Sequence, residues 1–164
     1  MNRVQAALGS GLFLILTPGV MAGLVPWLLT GWDSTDPPLI LVVVGAVLIV
    51  AGVVVVVLAF ARFVLEGRGT PAPVAPTDTL VVGGLYRYVR NPMYVAVGSI
   101  IVGQALLLGR PVLLVWAAIF WATVAAFVHG YEEPTLADRY GEQYAAYRRA
   151  VPAWVPRLRP WRGT

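Results

Sequence analysis

LILVVVGAVLIVAGVVVVVLAFA, Leu39–Ala61, has an apolar residue or glycine at every position. A buried β-strand is far shorter, so length outweighs the β-branched bias and a helix crossing a bilayer is expected. Three further stretches lack a charged side chain: Val4–Trp32, Asn91–Gly109 and Pro111–Tyr131, the last with His129 near its end. Each has about the 17–25 residues that a spanning helix needs. The expected fold is an all-α integral membrane protein with about four transmembrane helices and a C-terminal interfacial amphipathic helix, a single membrane domain over 1–164. Pro18 and Pro26 would kink the first helix, which is tolerated where neighbours satisfy the freed carbonyls. Arg3 with the following AALGSGLFLILT has the outline of a secretory signal, but the apolar run continues to Trp32 and no cleavage site closes it.

Composition points the same way. Of 164 residues 59% are hydrophobic and 12% charged, where a soluble domain has about 25% charged. Mean hydropathy is +0.76. So few charges leave a soluble domain without a covering, and a disordered chain would be polar. The absence of cysteine removes disulfides, thiol nucleophiles and thiolate metal sites, and no metal is expected. All twelve basic residues are arginines. Under four spans, Arg3, Arg62, Arg68, Arg87, Arg90 and the six of the tail fall on one side, with Arg110 alone on the other. The Asp33/Asp36 loop has none. By the positive-inside rule, both termini and the central loop face the cytoplasm of an inner membrane. A net charge of +4 spread along membrane edges suits anionic lipid headgroups and not nucleic acid.

The polar remainder is small. Glu66–Val89 is rich in glycine and proline, and its APTDTLVVGG portion reads as a loop, a short extended piece and a glycine turn. In the tail, Leu136, Tyr140, Tyr144, Tyr147 and Val151 recur at three- and four-residue steps, the pattern of an interfacial helix. The proline-rich end that follows would lie as a strap, with Trp154 and Trp161 at headgroup level. Gly45 and Gly52, seven residues apart, form a candidate helix-packing face. Two polar clusters share the arginine-rich side: YRYVRNPMY, Tyr86–Tyr94, and the pair Glu132–Glu133. Adjacent carboxylates at a membrane rim are costly unless solvated or paired. They either pair with the arginines or help clamp a ligand that carries both an ammonium and a carboxylate.

Four motifs in order, DTLV at Asp78–Val81, GLYRYVRNPMY at Gly84–Tyr94, EEPTL at Glu132–Leu136 and YGEQYAAYRRAVP at Tyr140–Pro152, give residues 78–156 a specific likeness. This region resembles the isoprenylcysteine carboxyl methyltransferase family and its relatives among the phospholipid methyltransferases. Residues 1–65 hold two divergent helices without a comparable motif. The resemblance implies a membrane enzyme that binds S-adenosyl-L-methionine near the cytoplasmic surface. It places the cofactor contacts on Asp78, Thr79, Leu80, Val81, Tyr86, Asn91, Pro92, Met93, Tyr94 and Glu132. Arg90, Glu133 and His129 are the catalytic candidates. Arg90 would meet the methionine carboxylate or brace Glu133; His129 would bond a helix carbonyl, or act as a general base or orient the acceptor.

Some positions depart from the carboxyl methyltransferase pattern. Asp78 and Asn91 stand where those enzymes have histidine, and Ala96 where many have glycine. Val128 stands where they have an arginine associated with the substrate. The expected reaction is methyl transfer to a lipophilic acceptor entering from the bilayer. A prenylcysteine carboxylate, a phospholipid amine and a small lipophilic amine or thiol are the acceptors left open. A small membrane protein that binds lipid or a partner without catalysis is the competing reading.

Overall fold

The computed structural model describes residues 18–62 and 79–163. The expectations for Arg3, Arg68, Asp78 and the start of the first helix fall outside them. All regular structure among the described residues is helical: α1 (Val20–Thr30), α2 (Leu39–Arg62), a 3-10 turn (Gly84–Arg87), α3 (Pro92–Leu108), α4 (Val112–Phe127), a wide π turn (Val128–Glu132) and α5 (Glu133–Ala150).

Glycines set the main packing seam. A Cβ at Gly45 would stand 2.5 Å from the Gly103 carbonyl oxygen, and one at Gly52 would stand 2.9 Å from that of Ala96. Glycine at these positions lets α2 and α3 pack backbone to backbone, so the seven-residue step is a packing face. The same pairings make the two helices antiparallel. On α4, Ala117, Phe120 and Val124 close the core against Ala96, Val97 and Ile101 of α3 and Val56 and Phe60 of α2.

Proline placement decides where α3 begins. Pro92 at its first turn forfeits an N–H that has no helical acceptor there anyway. At the far end, the Thr35 amide donates to the Leu108 carbonyl and Arg110 Nε to the Asp33 carbonyl, both at 2.9 Å. α1 is fastened to the bundle by Gln104, a buried polar residue one turn from the end of α3. Its Nε2 donates to the Ala22 carbonyl at 2.7 Å, and its Oε1 accepts from Trp32 Nε1 at 3.1 Å.

Opposite the glycine seam, α2 presents Leu39, Ile40, Val47, Val50, Val54 and Val57 outward, and α4 presents Leu114, Val115 and Ile119. An apolar perimeter this extensive belongs in a bilayer. Leu39–Arg62 and the continuous helical run Val112–Ala150 are long and apolar enough to cross one, while α1 and α3 are shorter.

The tail differs from expectation. α5 is not separated from α4: it continues α4 through the π turn and bends at Gly141, whose φ of 51° and ψ of −126° suit only glycine. Its apolar face is covered by protein. Tyr144, Tyr147 and Val151 are buried against Leu80, Val82 and Trp161. The strap tryptophans are likewise packed on the chain, Trp154 edge-on to Trp121 at 5.2 Å and Trp161 on Tyr147 at 5.4 Å. The periodic apolar face expected to lie on lipid is instead packed against the strap and the Leu80–Val82 segment.

Candidate active site

The strap fixes the segment that precedes α3. The Arg90 and Asn91 amides donate to the Pro152 and Ala153 carbonyls at 2.9 and 3.2 Å. In return, the Arg157 and Trp161 amides donate to the Tyr88 and Arg87 carbonyls, both at 2.9 Å. Asn91 Nδ2 also donates to the Ala153 carbonyl at 3.2 Å, so its side chain is engaged with the strap. From α5, the Tyr147 hydroxyl donates to the Tyr86 carbonyl at 2.7 Å. Backbone groups that would otherwise be orphaned on leaving a helix are satisfied in this way.

Onto this frame α3 and the end of the α4 run bring the two polar clusters together. Arg90 Nη1 lies 2.6 Å from Glu133 Oε1 and donates to the Tyr144 hydroxyl at 3.1 Å; its Nε donates to the Val151 carbonyl at 3.0 Å. Glu133 Oε2 is met by Arg148 Nη2 at 3.1 Å and by His129 Nδ1 at 3.4 Å. Burial alone would raise the Glu133 carboxyl, but the hydrogen bond and charge of Arg90, with Arg148 and His129, hold it below the ordinary carboxylate range. Arg90 thus braces Glu133 here. His129 likewise bonds this carboxylate and not a helix carbonyl.

Glu132 has a different environment. Its Oε2 accepts from the Tyr94 hydroxyl at 3.1 Å, and no arginine among the described residues pairs with it. Burial raises its carboxyl above the ordinary range; the Tyr94 hydrogen bond opposes this and the neighbouring Glu133 charge adds to it. Tyr86 is close by. Its phenol is pushed well above the usual range by burial, and then by Tyr147, Glu132 and Tyr94. The Tyr86 ring packs with Val81 and Ala59, and Met93 lies against the same group.

The sequence-derived residues therefore sort into groups. Glu132, Tyr94, Tyr86, Met93 and Val81 lie in one neighbourhood. Leu80 points instead to the α5 tyrosines, Pro92 serves the helix start, and Thr79 is exposed. Arg148, Tyr144, Tyr147 and Gln104 are not among the sequence-derived site residues; the two tyrosines figure there only in the apolar face and motif of the tail. Tyr144 and Arg148 sit four residues apart, a spacing that shares a helix face. Gln104 is the lone amide in an otherwise apolar α3, and that was its available signal.

A family model described as phospholipid methyltransferase matches residues 40–143. The protein-S-isoprenylcysteine O-methyltransferase of Schizosaccharomyces pombe is 35% identical over 78 residues, 47% of this chain and 33% of that protein. The chain thus spans about a third of the length of that relative. No solved structure matches.

Proposed function

The chain belongs to the phospholipid methyltransferase family, and from that premise we propose that it transfers a methyl group from S-adenosyl-L-methionine to a lipophilic acceptor. The observation that carries this reading is the contrast between two adjacent carboxylates. Glu133 takes Arg90, Arg148 and His129. Glu132, partly withdrawn from water, has among the described residues only the Tyr94 hydroxyl. A carboxylate partly withdrawn from water without a cation is costly. A ligand that brings an ammonium supplies the missing partner.

The donor set fits such a ligand. Glu132 would receive the methionine ammonium or a ribose hydroxyl, with Tyr94 fixing the carboxylate's rotamer. Tyr86, Met93 and Val81 offer an apolar wall, and the backbone of Thr79–Val81 offers groups for the adenine edge. When bound, S-adenosyl-L-methionine supplies a methyl already activated by a sulfonium. The protein's task is therefore alignment and exclusion of water. Arg90 and Glu133 act as positioning residues in this account, because together they lock the segment before α3 to the exit of α4. Asn91 does the same for the strap. His129, 59% exposed at that exit, is placed to orient an acceptor or take its proton.

Val128 bears on the acceptor. It is 1% exposed, packed with Val97, Phe120 and Val124. A carboxylate acceptor therefore finds no cation at that position, which favours a phospholipid amine or another small lipophilic amine or thiol. The arginine asymmetry supports four spans with the site and both ends toward the cytoplasm; a C-terminal reporter active only outside the cytoplasm should stay silent. The direct test is calorimetry with S-adenosyl-L-methionine on the purified chain in detergent. Binding heat that disappears in Glu132→Ala supports the reading; no heat from the wild type refutes it.

A further inference from the structure

Beside the 3-10 turn, outside the cluster around Glu132, lies a groove of about 630 Å³ lined by Leu58, Ala61, Arg62, Leu85, Arg87, Tyr88 and Pro160, with Gly84 in its wall. We propose that this groove seats the phosphate of an anionic phospholipid, with an acyl chain running down the outer face of α2.

Four observations carry the proposal. Among the described residues the lining holds two arginines and no carboxylate, so a phosphate is attracted and the ammonium of a zwitterionic headgroup finds no partner among them. The Arg87 guanidinium is exposed and has no side-chain partner among the described residues. Arginine matches phosphate geometry with paired N–H donors. Third, the groove is amphipathic. Arg62 ends α2, and Leu58, half exposed one turn earlier, continues into the outward apolar row with Val54 and Val57. Such a site joins headgroup depth to hydrocarbon depth, which selects a lipid over a free ion.

Fourth, the turn is shaped around an arginine. Gly84 has φ of +56°, and a Cβ there would lie 2.7 Å from Arg62 Nε. The Arg62 side chain thus lies directly across the glycine. The turn separates this groove from the candidate active site: Tyr86 is buried with Ala59 and Val81, while Arg87, the next residue, lines the groove. Nothing in the proposal requires methyl transfer.

The test is native mass spectrometry of the full chain released from detergent containing palmitoyl-oleoyl phosphatidylglycerol or palmitoyl-oleoyl phosphatidylcholine, with inorganic phosphate as a competitor. Phosphatidylglycerol should bind in preference. Arg62→Gln and Arg87→Gln should each weaken it about fivefold, the worth of one arginine near a lipid surface, and Arg87→Lys should weaken it less. Gly84→Ala should also weaken it, by displacing Arg62. Thermal unfolding of each variant in the same detergent, unchanged for the exposed Arg87, separates lost binding from lost folding. Equal binding of the two lipids, or wild-type binding by both arginine variants, overturns the proposal. Displacement by phosphate at concentrations comparable to the lipid would show an ion site and overturn it too. Failure to bind S-adenosyl-L-methionine would refute only the methyltransferase reading.

Discussion

Arg90 Nη1 and Glu133 Oε1 stand 2.6 Å apart and tie the start of α3 to the start of α5. Both side chains are nearly buried, at 11% and 5% exposed. Removing one member leaves the other charge without its main partner in a poorly solvated place, at a cost of about 3–5 kcal/mol. Arg90→Ala and Glu133→Ala should therefore lower the thermal midpoint in detergent sharply. Arg90→Lys should recover only part, because a lysine does not reproduce the bonds to Tyr144 and the Val151 carbonyl together. Unchanged midpoints for both alanine variants would contradict the bracing role.

The same carboxylate sets a pH dependence. Its folded pKa lies below the unfolded value of about 4.3, so the unfolded chain binds more protons between the two. The stabilisation is fully present above the unfolded value and is lost as pH falls through the folded one. Unfolding midpoints of the wild type and Glu133→Gln, followed from pH 6 to pH 3, should converge as the pH drops below about 4. A gap that stays constant across that range would contradict the assignment.

Glu132 behaves in the opposite sense. A carboxyl whose folded pKa is raised costs stability as pH rises through the window above its unfolded value. Glu132→Gln removes that cost and leaves an amide for the Tyr94 hydroxyl. Its midpoint at neutral pH should equal or exceed that of the wild type, while S-adenosyl-L-methionine affinity falls at least tenfold. A destabilised Glu132→Gln with intact affinity would mark the residue as structural.

At the α2–α3 seam, volume matters more than hydrophobicity. Gly45→Val has no room beside the Gly103 carbonyl and should cost about 1–3 kcal/mol. Val50→Leu on the outward face, where Val50 is 64% exposed, should be close to neutral. Midpoints in detergent decide it, and equal effects of the two would dissolve the seam.

Much of this was written in the sequence, for identifiable reasons. A bilayer demands long apolar helices, so α2, α3 and α4 showed as uncharged runs bounded by arginine, aspartate, proline and glycine. The Gly45–Gly52 spacing marked the seam because close backbone approach tolerates nothing larger. The continuity of α4 into α5 was not visible, since Glu132, Glu133 and Pro134 look like an end; a π turn absorbs them without breaking the helix. Nor was the cover on α5. A periodic apolar face shows that something is buried, and only tertiary contact shows that Leu80, Val82 and Trp161 do it. In the site, the contact between Arg90 and Glu133 spans 43 residues of chain, which no local pattern encodes.

The central claim rests on Glu132, and transfer of a labelled methyl tests it most directly. The purified chain, incubated with methyl-labelled S-adenosyl-L-methionine and membrane lipid extract, should place label in an organic-soluble product, at a rate reduced at least a hundredfold in Glu132→Ala. Label should enter an amine- or thiol-bearing lipophile and not a prenylcysteine ester alone. No labelled lipophile from the wild type, or equal labelling by Glu132→Ala, would contradict the account.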